Sequence, residues 1–327
     1  MSERVKVGLI GTGGIMNLHV TRMQEIEEGI ILALCDPDPN RLEAIKKRFP
    51  ALAGCPEYDD HKAMIDGEKL DAVIIASPHH AHCEQIIDSL RAGLHVLVEK
   101  PMVGSIVDAQ KVMAEEKRAC KLVSVAYQRH SQGEFQFIRK AIQSGKAGEV
   151  QFVSAFQGQN WLRLTAGSWR QVPEMSLGGQ LNDSGSHLID IILWVTGLQA
   201  NRVSASIVQF DREVDINSAI TIDFTNGAVG NLSVVGNCPV WWEDITIACS
   251  EWSFFVRQGS LTYSTGDRGE VLSLNSTHYG STSPNRNFID AILGRAELLA
   301  PSVCGLRTIE LTEAAWRSAD LGQPVSL

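Results

Sequence analysis

VKVGLIGTGGIMNLHV, residues 5–20, passes from an apolar, strand-like run into three glycines and then into a segment of helical spacing. Gly11 and Gly13 fall at the strand-to-helix turn. Such glycines let a pyrophosphate approach backbone amides at a helix N-terminus, where the helix dipole favours its charge. A full G-x-G-x-x-G fingerprint would place its third small residue at position 16, and here it is Met16. That position packs helix against strand, so a slightly displaced first helix is expected, while Gly14 adds backbone freedom beside the phosphates. The turn formed by Gly11, Thr12, Gly13, Gly14, Ile15 and Met16 is therefore the first candidate cofactor contact.

Outward from this turn the pattern repeats. IILALCD, DAVIIAS, HVLVEK and KLVSVAY are β-rich and alternate with amphipathic segments up to residue 127. Alternation of this kind predicts right-handed βαβ units and a doubly wound parallel sheet, a Rossmann-type domain over residues 1–127. After GKAGE the runs lengthen: VQFVSAFQ, RVSASIVQF, SAITIDFTNGAVGNLSVVG and EDITIACSEWSFFV. Asn226-Gly227 between two apolar runs is a hairpin signal. Residues 128–327 are expected to form an α+β domain with a large, mainly antiparallel sheet, flanked by a helix over 178–197 and another over about 305–320.

Composition narrows the function classes. A 327-residue chain with 44% hydrophobic and 20% charged residues is ordinary for a globular protein with a large core. The formal charge of -9 and the lack of a concentrated basic patch argue against nucleic-acid and anionic-membrane partners and favour small molecules. Seven cysteines stand singly, with no C-x-x-C pair, which speaks against a disulfide framework or cysteine zinc site and for reducing cytoplasm. The N-terminus shows no export signal, and no apolar run approaches the roughly 18 residues of a membrane span.

Three further strand ends carry chemistry. ALCDPDP places Asp36 after the second strand, about 20 residues beyond the glycines, where a carboxylate can accept both adenosine ribose hydroxyls. It would repel a 2'-phosphate, so NAD is expected over NADP. VIIASPHHAHCE places Ser77, Pro78, His79 and His82 at the carboxyl end of the third strand, the edge at which ligands bind in such sheets. No metal is expected from these histidines, because no Cys or Glu cluster supports them; His79 and His82 are read as lining the cofactor cleft or capping the next helix. HVLVEKPM ends the fourth strand in Glu99, Lys100 and Pro101, and Lys100 would emerge at the ligand edge. Gln128, at the domain boundary, is counted with the cofactor-binding residues.

GGQLNDSGSHLIDIILWVTG, residues 178–197, is almost wholly small or apolar apart from Asp183, His187 and Asp190. Wound as a helix, those three fall within about 60° of arc, with Trp194 between them, forming one polar stripe on an otherwise buried helix. A satisfied core histidine beside its own aspartate is the alternative reading of this stretch.

EKP after a Rossmann start, together with GGQLNDSGSHLID, resembles the Gfo/Idh/MocA family, the glucose-fructose oxidoreductase and inositol 2-dehydrogenase group. The family's helix motif reads G-G-x-x-x-D-x-x-x-H-x-x-D, and Gly178, Gly179, Asp183, His187 and Asp190 match it throughout. SPHHAH, Trp169-Arg170 and the C-terminal RTIELTEAAWRSADLGQPVSL are also family-like, so the resemblance covers essentially the whole chain.

The resemblance implies an open-faced second sheet that mediates dimers or tetramers. It implies that Lys100 hydrogen-bonds the reacting hydroxyl, that His187 exchanges the substrate proton, that Asp183 orients or shares this proton work, and that Trp169 and Arg170 lie near the nicotinamide. The chemistry fits an NAD-dependent dehydrogenase of a sugar, cyclic polyol or related polyhydroxy compound: the cofactor takes the hydride while a base takes the proton. Two other functions exist on this framework, a glycosidase that uses tightly held NAD transiently and a non-catalytic NAD-binding sensor. Substrate choice is expected from the loops at 158–177, 237–244 and 278–287, where Trp161, Trp241 and Trp242 are candidates to stack on a sugar face, with core or interface packing as the alternative.

Overall fold

The computed structural model describes residues 4–265, 271–274 and 282–327, and the chain divides into two compact units. The first contains the residues up to Val103, Val107–Tyr127 and a returning segment, Thr282–Gly305. Its strands are β1 (Val5–Ile10), β2 (Gly29–Cys35), β3 (Glu57–Tyr58), β4 (Ala72–Ile75), β5 (His95–Val98) and β6 (Val123–Val125). All pair in parallel, in the order β3-β2-β1-β4-β5-β6. Every residue of β4 is buried, as a strand covered on both faces requires.

The crossovers are α1 (Met16–Gln24), α2 (Pro39–Arg48), α3 (His61–Gly67), α4 (His79–Arg91) and α5 (Ile106–Ala119). Strand order reverses between β1 and β4, the switch point outside whose carboxyl ends ligands bind in such sheets. One apolar core runs through Val7, Leu9, Met16, Val20, Leu34, Ile74 and Leu97, and α10 (Pro284–Ile292) closes it with Phe288 and Ile289.

The second unit holds Gly104–Ile106, the described residues from Gln128 to Leu274, and Leu306–Leu327. Its nine strands are β7 (Val150–Gly158), β8 (Ala200–Val208), β9 (Asn217–Phe224), β10 (Val229–Val235), β11 (Trp242–Cys249), β12 (Trp252–Arg257), β13 (Ser260–Thr265), β14 (Val271–Leu274) and β15 (Val325–Ser326). They lie in the order β14-β13-β12-β11-β7-β10-β9-β8-β15. Pairing is antiparallel except between β7 and β10. The β9–β10 hairpin turns at Asn226-Gly227, where Gly227 takes φ +88°.

Along β9, Ser218, Ile220, Ile222 and Phe224 are buried while alternate residues are more exposed, so one face of the sheet makes core and the other is open. The helices of this unit are α6 (Gly133–Gln143), the short α7 (Trp161–Leu164) and α8 (Pro173–Ser176), α9 (Gly185–Thr196), and α11 (Ser302–Leu321) from Leu306 onward. Among the described residues no helix is long and apolar enough to cross a membrane.

The helix read from residue 178 starts seven residues later, at Gly185. Residues before it wrap a buried carboxylate: Asp215 accepts from the amides of Gly179 (2.8 Å) and Leu181 (2.6 Å), which regular helical geometry would not present together. Gly178 takes φ +134°, and a Cβ on Gly179 would lie 2.0 Å from the Asp215 carbonyl oxygen. The glycine pair is therefore dictated by close backbone approach.

Candidate active site

In the first unit the nucleotide turn is built as the glycines require. Gly11 has φ +81°, and a Cβ there would sit 2.6 Å from the backbone nitrogen of Ser77. Gly14 faces open space, and no side chain caps the start of α1, where the amides of Met16, Asn17 and Leu18 donate to the carbonyls of Gly13, Gly14 and Ile15. Ile15 is exposed, whereas Met16 is fully buried in the core beneath the turn. Met16 thus fills the space a small third residue would have left.

Asp36 binds this turn to the end of β2. One oxygen accepts from the Thr12 amide (2.7 Å) and the Thr12 hydroxyl (3.2 Å), the other from the Asp38 amide (3.0 Å). A carboxylate has about four acceptor directions, so Asp36 keeps capacity for a ribose hydroxyl. Cradle, open rim and acidic strand end all fit a dinucleotide.

At the end of β4 the Ser77 hydroxyl donates to Gln85 (2.6 Å), and Pro78 precedes α4. His79 is buried, its ring 5.7 Å from that of His82. Both nitrogens of the fully buried His82 meet backbone carbonyls, Pro101 at 2.9 Å and Ser77 at 3.0 Å. Carbonyls only accept, so a neutral ring satisfies one at a time; burial, holding this imidazole below its usual range, favours the neutral ring. His82 consequently donates to the carbonyl at one strand end while packing against the other.

At the end of β5, Lys100 is half-buried and Glu99 lies against His19 of α1. Burial opposes ionisation of Glu99 most strongly. The hydrogen bond and charge of His19, with the Lys100 charge, nevertheless hold the carboxyl below its usual range. His19 escaped the sequence reading; its only signal was a histidine on the apolar face of the first helix.

In the second unit, Asp183 precedes α9 in the turn held by Asp215. Its Oδ2 accepts from the indole of Trp161 (2.8 Å) and from Nε of Arg170 (3.0 Å), while Arg170 stacks on the Trp169 ring at 4.4 Å. The family-like Trp169-Arg170 pair and Asp183 are thus one cluster. Trp161, a candidate sugar platform in the sequence, is 3% exposed and packs with Val214 and Ile216. Its role is to fix Asp183. Trp241 and Trp242 remain exposed, at 50% and 44%. Gln128 is exposed and opens a short turn, while the substrate-loop residues at 278–281 lie outside the described residues.

His187 follows on the first turn of α9, half-buried, but Asp190 does not continue an open stripe. Its carboxylate meets Nε2 of the buried His130 at 2.6 Å, and His130 stacks on Trp194 at 4.1 Å. Burial pushes the Asp190 carboxyl up, against the pull of His130 and Arg129. Asp190 is thus paired with a histidine from another element, not with His187 of its own helix. His130 and Asp215 both lacked a local motif that could have marked them.

Comparison with known proteins places this geometry. A family signature described as oxidoreductase family, NAD-binding Rossmann fold, matches residues 5–127, and one described as GFO/IDH/MocA C-terminal domain matches residues 135–255. The chain belongs to the GFO/IDH/MocA family. It is 26% identical over 235 residues to a myo-inositol 2-dehydrogenase from Thermotoga maritima, a match covering 69% of this chain and 67% of that enzyme. Its fold is shared with an aldose-aldose oxidoreductase from Caulobacter crescentus (TM-score 0.87, 20% identity, 99% of this chain and 100% of that one). It is likewise shared with a levoglucosan dehydrogenase solved with NADH (TM-score 0.87, 19% identity, 99% of each chain).

Proposed function

We propose that this family member is an NAD-dependent dehydrogenase that oxidises a secondary hydroxyl of a sugar, cyclic polyol or related polyhydroxy compound. What carries the reading is the presence of Lys100 just past β5, Asp183 in the turn before α9 and His187 on the first turn of α9, at the positions of the family motifs, with Asp183 held by Trp161 and Arg170. Relatives named as inositol and levoglucosan dehydrogenases point to the same class of substrate.

Gly11 to Met16 and Asp36 would hold the dinucleotide, with Ser77 and Pro78 at the adjoining strand end and Gln128, Trp169 and Arg170 towards the nicotinamide. Bound NAD supplies the acceptor for the hydride. In this reading Lys100 donates a hydrogen bond to the reacting oxygen and stabilises its developing negative charge. His187 accepts the hydroxyl proton, a task suited to an imidazole near neutral pH. Asp183, already held by Trp161 and Arg170, orients rather than carries the proton. NAD is preferred over NADP because Asp36 faces the ribose position.

The open face of the nine-stranded sheet, with exposed Phe152, Val229 and Trp242, is the surface through which copies would pair into dimers or tetramers. Single cysteines, none in a disulfide, fit the cytoplasm. Lys100→Ala and His187→Ala should each lower turnover by roughly 100-fold or more, on the polyol that best reduces NAD, with NAD affinity retained. Near-normal turnover in both would remove the mechanism.

A further inference from the structure

Behind Lys100 lies a row of buried polar groups that the mechanism above does not use. His19, 1% exposed on α1, has Nε2 3.1 Å from Oε1 of Glu99 and Nδ1 3.1 Å from Oδ1 of Asn285. Asn285 is 0% exposed, on the first turn of α10 in the returning segment of the chain. The other Glu99 oxygen accepts from the backbone amide of Lys100 itself, at 3.2 Å. A continuous path therefore runs from α10 through α1 to the peptide that carries Lys100.

Such a row is costly to bury. Apolar residues of similar volume would commonly stabilise a core as well or better, so stability alone gives no reason for it. Its end point does: on the far side of Lys100, the His82 ring lies against the carbonyls of Pro101 and Ser77 and donates to one of them. The lysine peptide is thus flanked on both sides by polar groups within its own unit.

We propose that His19 and Asn285 are positioning residues, which hold Glu99 and through it the Lys100 peptide in the register needed for hydride transfer. The proposal rests on the reading that Lys100 acts on the reacting hydroxyl. It has a specific pH consequence. The charged or titratable groups facing Glu99 are His19 and Arg22 from α1, His82 from α4 and Lys100 beside it. Among them His19 gives the largest opposition to burial, so without it Glu99 protonates at higher pH and the Lys100 peptide loses its charged acceptor.

The test uses the full chain with NAD and whichever inositol, aldose or sugar acid gives the fastest NADH formation. His19→Leu is expected to lower kcat about 100-fold, the scale of a small misplacement, with KM for NAD within about twofold. The acid limb of its kcat/KM profile should move to higher pH. His19→Gln, which can still donate to Glu99, should recover at least a tenth of wild-type kcat and part of the limb. Should His19→Leu fail to fold, Asn285→Ala keeps the question open to refutation, with a smaller kcat loss and a limb shift of the same sign. Lys100→Ala is measured alongside. If it is nearly inactive while the His19 and Asn285 variants keep wild-type kcat or an unmoved acid limb, the positioning role is overturned and the Lys100 reading stands; if Lys100→Ala is nearly normal, both fall.

Discussion

Gly11→Ala places a methyl group where the fold has no room. At φ +81° an L-residue costs about 1–2 kcal/mol. The new Cβ would also lie 2.6 Å from the Ser77 nitrogen, 2.7 Å from the Ala76 carbonyl carbon and 2.8 Å from the Ser77 Cα. All three are backbone atoms, so relief requires the ends of β1 and β4 to part, an overpacking cost of about 1–3 kcal/mol. The sum, about 2–5 kcal/mol, is a large share of the roughly 5–15 kcal/mol that holds a domain folded. With a urea slope of about 2 kcal/mol/M, the unfolding midpoint should fall by about 1–2.5 M. Gly14→Ala is the matched control: its Cβ meets nothing within 4 Å, so stability should change by less than about 0.5 kcal/mol. Equal midpoints for Gly11→Ala and wild type, or equal losses in both variants, would refute the steric reasoning. In NAD titration Gly11→Ala should be weakened at least about tenfold because the turn itself moves.

Two other outcomes are expected from parts of the first unit. Asp36→Ser should raise the KM for NAD by more than about tenfold, since the carboxylate anchors Thr12, and narrow any preference over NADP, since under the proposed reading it would repel a 2'-phosphate; kinetics with the two cofactors would show it, and an unchanged ratio would count against the role. His95 accepts the Leu122 amide at Nδ1, and burial, aided by Lys121, pushes its imidazole down to about 4. Between the ordinary value near 6.5 and about 4 the unfolded chain binds a proton that the folded one refuses, so stability should decline as pH falls through that window. His95→Gln should flatten this part of the profile in urea titrations across pH.

How far the sequence could be read follows from which contacts are local. The alternation of β and α runs, the glycine turn and Asp36 depend on neighbours within one βαβ unit, and the parallel sheet with its switch point followed from them. Trp169-Arg170 and Asp183 were visible as separate motifs. Their union through Arg170 was not, nor was the Trp161 indole on the same Asp183 oxygen, because these hydrogen bonds span 13 and 22 residues and a tryptophan in a polar loop reads equally as a platform or an anchor. The start of α9 was misread because Asp215, more than thirty residues away, captures the amides of Gly179 and Leu181. Asp190 looked like the third tooth of a polar stripe, yet its partner His130 lies 60 residues earlier. Helical periodicity identifies a face and says nothing of what packs on it.

The measurement that bears most directly on the central claim is NADH absorbance with the wild-type protein, NAD and a panel of inositols, aldoses, sugar acids and glycosides, with free sugar followed in the same samples. The account predicts NADH accumulating in step with oxidation of one polyhydroxy class and disappearing in Lys100→Ala and His187→Ala. Sugar released from a glycoside with no net NADH would contradict it and replace the dehydrogenase with a redox glycosidase.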